Sequence, residues 1–177
     1  MARGEQVDLV DARDRVVGSV TLAECLDRGL LHRAVAVIVT RRDGRVILQQ
    51  RSRRDAWHPG RWTLSCTGHV RKGESYEVAA SRELEEEIGI KAGLAPVKRY
   101  LLPPMRDNGM TEREWVALFA ATSDAVVRID PVELEGVKEF TEEELGEILD
   151  GGALTPDAVI LLTEYLRTRH RGRPPES

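Results

Sequence analysis

The chain has 177 residues, of which 41% are apolar and 32% charged, and its formal net charge is −4. That size suits one domain with its own core, and the balance excludes wholesale disorder and a general nucleic-acid binder. No apolar run reaches membrane-span length, and no charged-then-apolar leader precedes a cleavage site, so the expectation is a cytoplasmic protein with no membrane partner. Cys25 and Cys66 stand far apart, outside any C-x-x-C pattern, and read as inert reduced thiols. His32, His58, His69 and His170 show no H-E-x-x-H spacing.

In chain order, Val7–Val10 and Arg15–Val20 read as strands around the turn-like Asp11-Ala12-Arg13-Asp14. Thr21, with Glu24 three residues on, predicts the N-cap of a short helix that ends near Gly29. Ala34–Thr40 and Val46–Gln50 are apolar and β-rich, and Asp43-Gly44 between them signals a hairpin. An arginine-bearing loop holds Arg51, Arg53, Arg54 and Arg61 around Trp57-His58-Pro59-Gly60. Trp62–Cys66 reads as a short strand and Gly68–Glu74 as a loop. Ser75–Ile88 is the best helix, closed by Gly89. Val97–Leu102 and Trp115–Ala121 read as strands joined by a loop with Pro103-Pro104 and Asn108-Gly109. Val137–Phe140 is a strand, and helices start at Thr141 and at Thr155-Pro156. Residues 1–170 are expected to form a single domain, and residues 171–177, ending Arg-Pro-Pro-Glu-Ser, a disordered tail. The elements mix without βαβ alternation, which predicts an α+β fold with a mixed sheet and helices on its faces.

The informative stretch is residues 68–90, GHVRKGESYEVAASRELEEEIGI. On a helix, Glu83, Glu86 and Glu87 are i, i+3 and i+4 and share one face. Ala80, Leu84 and Ile88 form the adjacent apolar stripe, and Glu85 points away from the three-glutamate face. Like charges at those spacings destabilise a helix by roughly 0.2–0.5 kcal/mol per pair. A bound hard cation removes that conflict, since Mg²⁺ takes oxygen ligands and shares its shell with substrate phosphates. The bland alternative is a solvated acidic face.

The full pattern favours the cation. The stretch resembles the Nudix box, G-x5-E-x7-R-E-U-x-E-E-x-G-U with U apolar, at all nine constrained positions. A looser resemblance extends over about residues 6–150. The resemblance implies an α/β/α sandwich around a mixed sheet, with the box as a loop–helix–loop. It implies hydrolysis of a diphosphate linkage in a small-molecule, nucleoside-diphosphate-type substrate, with Mg²⁺ or Mn²⁺ and no nucleic-acid polymer. It carries the metal ligands onto Glu83, Glu86 and Glu87, with Gly68 contributing through its backbone, and it makes Arg82 and Glu74 a structural ion pair. The general base varies among members; Glu86 and Glu114 are the candidates here. Arg51 suits bidentate recognition of phosphate, and His69 beside the box glycine is a substrate-binding candidate.

The N-terminal half also resembles type I isopentenyl-diphosphate isomerase, in VDLVDARDRVVGSV, LLHRAVAVIV, VILQQRS, PGRWT and GHV. That resemblance implies metal-binding roles for His32 and His69 and ligand or acid roles for Glu112 and Glu114. Read without it, His32 is a packed or capping residue, and the two glutamates are exposed charges at a strand start. The isomerase pattern breaks where Cys25 replaces a metal histidine, Thr67 replaces the catalytic thiol, Leu102 a tyrosine and Asp55 a lysine. The hydrolase pattern is intact. Isomerase activity, or a non-catalytic nucleotide-binding module, is the alternative reading.

Overall fold

The structure, a computed structural model, describes residues 4–129, 131–132 and 134–171. Its strands are β1 (Gln6–Val10), β2 (Val16–Thr21), β3 (Leu31–Thr40), β4 (Val46–Arg51), β5 (Trp62–Thr63), β6 (Cys66–His69), β7 (Ala95–Leu101), β8 (Met105–Asp107), β9 (Met110–Thr122) and β10 (Leu134–Phe140). Its helices are α1 (Leu22–Arg28), α2 (Tyr76–Ile88), α3 (Glu142–Asp150) and α4 (Pro156–Arg171). None of these helices is long and apolar enough to cross a membrane.

The sheet is mixed. β3 and β9 run parallel, in unbroken register from Leu31↔Arg113 to Thr40↔Thr122, and the other ladders are antiparallel. Strand alternation divides β3 between two cores. Val35, Val37 and Val39 pack with Ala80, Leu84 and Ile88 of α2. Ala34, Ala36 and Ile38 pack with Leu145 of α3 and Leu161 and Leu162 of α4. The result is an α+β sandwich with helices on both faces, as the composition of elements predicts. A third, smaller cluster seats Leu22, Cys25 and Leu26 of α1 on Val7.

One irregularity makes room for a site. β3 and β4 pair only at Thr40↔Val46 and then diverge as a fork. Residues 62–69 fold into this fork as a nested V. Its first arm, β5, pairs with Gln49 and Gln50 of β4. Its second arm, β6, pairs with Val37 to Ala34 of β3. Ser65 sits at the apex, where its Oγ accepts from the Val39 N–H at 2.8 Å and donates to the Ile47 carbonyl. A buried side chain thus takes the place of a missing ladder rung.

Three expectations need correction. Trp62–Cys66 is not one strand, because the bend at Leu64-Ser65 switches partners, and β6 continues through Gly68 and His69, which are not in a loop. The connection before Trp115 is not all loop: Asn108-Gly109 closes a β8–β9 hairpin, with Asn108 at φ 46° and Gly109 at φ 78°. β9 therefore begins at Met110, and Glu112 and Glu114 lie inside it rather than at a strand start or edge. Finally, α4 reaches Arg171, so the helix includes the first residue of the expected tail; residues 172–177 lie outside the described residues.

Candidate active site

α2 owes its start to Ser75, whose Oγ accepts from the Val78 N–H at 3.3 Å, and its end to Gly89, left-handed at φ 68°. Its buried stripe turns Glu83, Glu86 and Glu87 toward a cavity of about 1040 Å³ at the mouth of the fork, which all three line. Glu85 instead pairs with Lys91 at 2.7 Å in solvent.

Arg82 organises this face. It grips Glu74 with two bonds, Nε to Oε1 at 3.0 Å and Nη2 to Oε2 at 2.9 Å. The same guanidinium donates to Glu83 Oε1 at 2.6 Å, to Glu86 Oε2 at 3.3 Å and to the His69 carbonyl at 3.1 Å. Burial opposes ionisation of Glu74, but Arg82 and the Arg71 N–H outweigh it and hold its pKa below the ordinary 4.5. Burial pushes the Glu83 carboxyl up, against the pull of Arg82 and with the help of the Glu86 charge. Glu83 lies directly against the β6 backbone, and a Cβ at Gly68 would overlap its carboxyl group. Glu87 Oε2 spans the fork, accepting from Gln49 Nε2 on β4 at 2.9 Å and from the Thr67 N–H on β6 at 3.3 Å. Three carboxylates on one face, two of them half-buried, beside a bare glycine backbone fit a hard divalent cation.

A second cluster lies across the sheet. His32, His69 and Glu114 alternate in phase with Ala34, Thr67 and Val116, which is the α3/α4 face. His32 and His69 stack with centroids 5.2 Å apart. Their Nε2 atoms approach the same oxygen, Glu114 Oε1, at 3.3 and 3.4 Å. The Leu30 carbonyl faces His32 Nδ1 at 3.1 Å and can only accept, so that nitrogen carries a proton. His32 Nε2 is buried without a hydrogen-bond partner and confronts a carboxylate. Two such acceptors require a cation between them, a proton or a metal. The three ligand atoms lie within 4.8 Å of one another, a nitrogen-rich set suited to a transition or borderline metal. Burial resists the charged form of His32, but Cys25 and Glu114 outweigh it and raise its pKa. Burial lowers that of His69 despite Glu114. Burial would raise Glu114, but the neighbouring imidazoles of His32 and His69 bring it down to about 2.

The cavity reaches both clusters because the fork opens the sheet between them. Glu112 is buried on the same wall, not exposed, and burial together with the Glu114 charge drives its pKa upward. Asp157 of α4 also lines the cavity, with its pKa raised by burial against the pull of a Thr155 hydrogen bond. Sequence reasoning missed Asp157, since an acid in a first helical turn ordinarily signals only a favourable dipole contact. Arg51 reaches the cavity, but its Nη2 is held by Asp55 Oδ2 at 2.7 Å and its Nε by the Trp57 carbonyl at 2.8 Å. Trp57 is buried beside it, whereas Trp62 packs edge-on against Phe140. The arginine-bearing loop is tied to the β8–β9 turn by the His58 N–H on Asp107 at 2.7 Å and by Asn108 Nδ2 on the Ala56 carbonyl at 2.9 Å. Cys25 and Cys66 are free and buried.

The family model for the NUDIX domain matches residues 30–161. A Nocardia farcinica protein named isopentenyl-diphosphate delta-isomerase is 39% identical over 135 residues, covering 75% of this chain and 77% of its own. A Pseudomonas aeruginosa protein named an uncharacterized Nudix hydrolase is 32% identical over 168 residues, 92% of this chain and 94% of its own. Among solved structures, DR0079 from Deinococcus radiodurans shares the fold with a TM-score of 0.74 at 24% identity, over 90% of this chain and 98% of that one.

Proposed function

The chain belongs to the Nudix family, and we propose that it is a divalent-metal-dependent hydrolase of a diphosphate linkage in a nucleoside-diphosphate-type small molecule. The observation that carries this reading is the complete glutamate face of α2, buttressed by Arg82 and Glu74 and turned into a large cavity. Mg²⁺ or Mn²⁺, when bound, supplies neutralising charge at the phosphate oxygens and a more acidic water. Glu83 and Glu87 would be its fixed ligands, each held by neighbours, with the Gly68 backbone beside them. Arg82 keeps the carboxylates from recoiling from one another. Arg51 orients the phosphates, and Asp55 holds its guanidinium ready on the cavity wall. Glu86 is the most exposed of the three glutamates and accepts the proton of the attacking water. Glu114 is the poorer base, because two imidazoles pin its ionised form and it projects from the other face of the sheet.

The test is a panel of nucleoside diphosphates, nucleotide sugars, dinucleotides and prenyl diphosphates, assayed for phosphate or pyrophosphate release with Mg²⁺ and with Mn²⁺. Release that disappears in Glu86→Gln and persists in Glu85→Gln supports the reading. No release from any substrate by the wild type counts against it.

The convergence of His32, His69 and Glu114, together with the isomerase-named relative, favours a second reading as an isomerase of isopentenyl diphosphate. Against it, Thr67 offers a hydroxyl where proton transfer to a double bond calls for a thiol. Incubation with isopentenyl diphosphate in deuterated water decides: robust solvent deuterium uptake by the wild type would reverse the ranking.

A further inference from the structure

Gln49 is 1% exposed on β4, in the middle of the cavity wall. Burying an amide is expensive unless both ends are satisfied. One end is: Nε2 donates to Glu87 Oε2 at 2.9 Å. The same Oε2 accepts from the Thr67 N–H, so the amide nitrogen, not its oxygen, faces it. The other end, Oε1, is buried with no hydrogen-bond partner. An apolar residue would fill this place more cheaply, since the preceding inward position on the same strand is Ile47, packed in the α2 core. The amide also sits where the fork has opened. β4 and β6 share no ladder among the described residues, and below the Ser65 apex Glu87 bridges the two arms, held from β4 by Gln49 and from β6 by the Thr67 N–H.

We infer that Gln49 is a positioning residue for cation binding: its amide N–H fixes the rotamer of Glu87 across the open sheet, and its carbonyl accepts from a water or hydroxyl brought into the cavity with the cation. The inference rests on the reading of Glu87 as a cation ligand. Partners of this kind fix the orientation of a ligand carboxylate, and their loss commonly weakens metal affinity by about 10–100-fold.

The experiment uses the full-length protein and Mn²⁺ alone, with free Mn²⁺ followed by electron paramagnetic resonance. Melting temperature without metal is measured on the same samples. Gln49→Leu and Gln49→Met keep the volume and remove both polar ends, and Glu87→Gln serves as the reference. The expected result is Mn²⁺ affinity about 10–100-fold weaker in both Gln49 variants, with the metal-free melting temperature unchanged or raised. A purely structural role would lower the melting temperature and leave affinity alone. Mn²⁺ affinity within twofold of wild type in either folded Gln49 variant, while Glu87→Gln binds poorly, overturns the inference and leaves the hydrolase reading standing. Wild-type affinity in Glu87→Gln itself overturns the ligand assignment beneath both.

Discussion

Glu83, Glu86 and Glu87 come from five consecutive residues of one helix, whereas His32, His69 and Glu114 come from three different strands. The first set is oxygen-only, sits against the α2 face and is braced by an arginine. The second is nitrogen-rich, sits on the opposite face and, among the described residues, is paired with no arginine or lysine. One cavity serves both because the sheet is forked. The difference separates two kinds of donor set: an oxygen-only face that suits a hard cation, and a buried nitrogen-rich one that suits a softer ion or a proton.

The comparison breaks most visibly at the base. Glu86→Gln is expected to lower kcat by about 10²–10⁴-fold, the usual worth of a positioned general base, with Glu85→Gln near wild type. Steady-state rates at saturating metal check this, and equal losses from the two variants would remove the distinction between the faces. Gly68→Ala is expected to force the Glu83 carboxyl off the β6 backbone and cost about 1–3 kcal/mol in urea unfolding, with weakened metal binding. Unchanged unfolding and metal affinity would show that Glu83 does not need that backbone.

The third expectation concerns the strand cluster. Glu114→Gln should change the hydrolysis rate by less than about tenfold and keep the base limb of the pH–rate profile, because Glu86 carries that limb. Disappearance of the limb would return the base to β9. The smallest effect lies in acid. The Glu74 pKa is depressed in the folded protein, so its pairing with Arg82 contributes fully above the ordinary 4.5 and is lost as pH falls through the depressed value. Melting temperature should therefore fall on acidification from about pH 5 to pH 3, and less steeply in Glu74→Gln. Parallel curves for the two proteins would show that the pair does not stabilise the box loop.

The helix cluster was legible before any coordinates, because i, i+3, i+4 spacing fixes a shared face locally. The helix itself, its Gly89 stop and the β-rich run of β3 were legible too, because each is written in local sequence. The strand cluster was not. Period-2 alternation says which face His32, His69 and Glu114 take only once the strands exist, and it says nothing about which strands become neighbours. The parallel pairing of β3 with β9 joins residues some eighty positions apart, as with His32↔Glu114. The isomerase resemblance named these residues, but their own context suggested packing and exposed charge. β9 was cut short for a related reason: Thr111-Glu112-Arg113-Glu114 looks like solvated chain, and its acids are buried because they line a cavity. The bend at Ser65 left no trace, since a hydroxyl standing in for a peptide rung has no signature in spacing.

That hydroxyl also leaves the fork with a single side-chain rung at its apex. Past Thr40↔Val46, the β4–β5–β10 half of the sheet is tied to the β3–β6–β9 half at the apex by one serine side chain rather than by a cooperative ladder. A rung made by a rotatable Cβ–Oγ bond yields more readily than one made by two peptide planes, so the halves can breathe without unzipping either ladder. The Val39 amide is the reporter of this motion: its hydrogen exchange should be faster than that of Ile38 or Val37 deep in the same strand, and slower once a ligand in the cavity bridges Gln49 and Thr67. Ser65→Ala, which removes that rung and leaves every carboxylate in place, should speed exchange at the Val39 amide further.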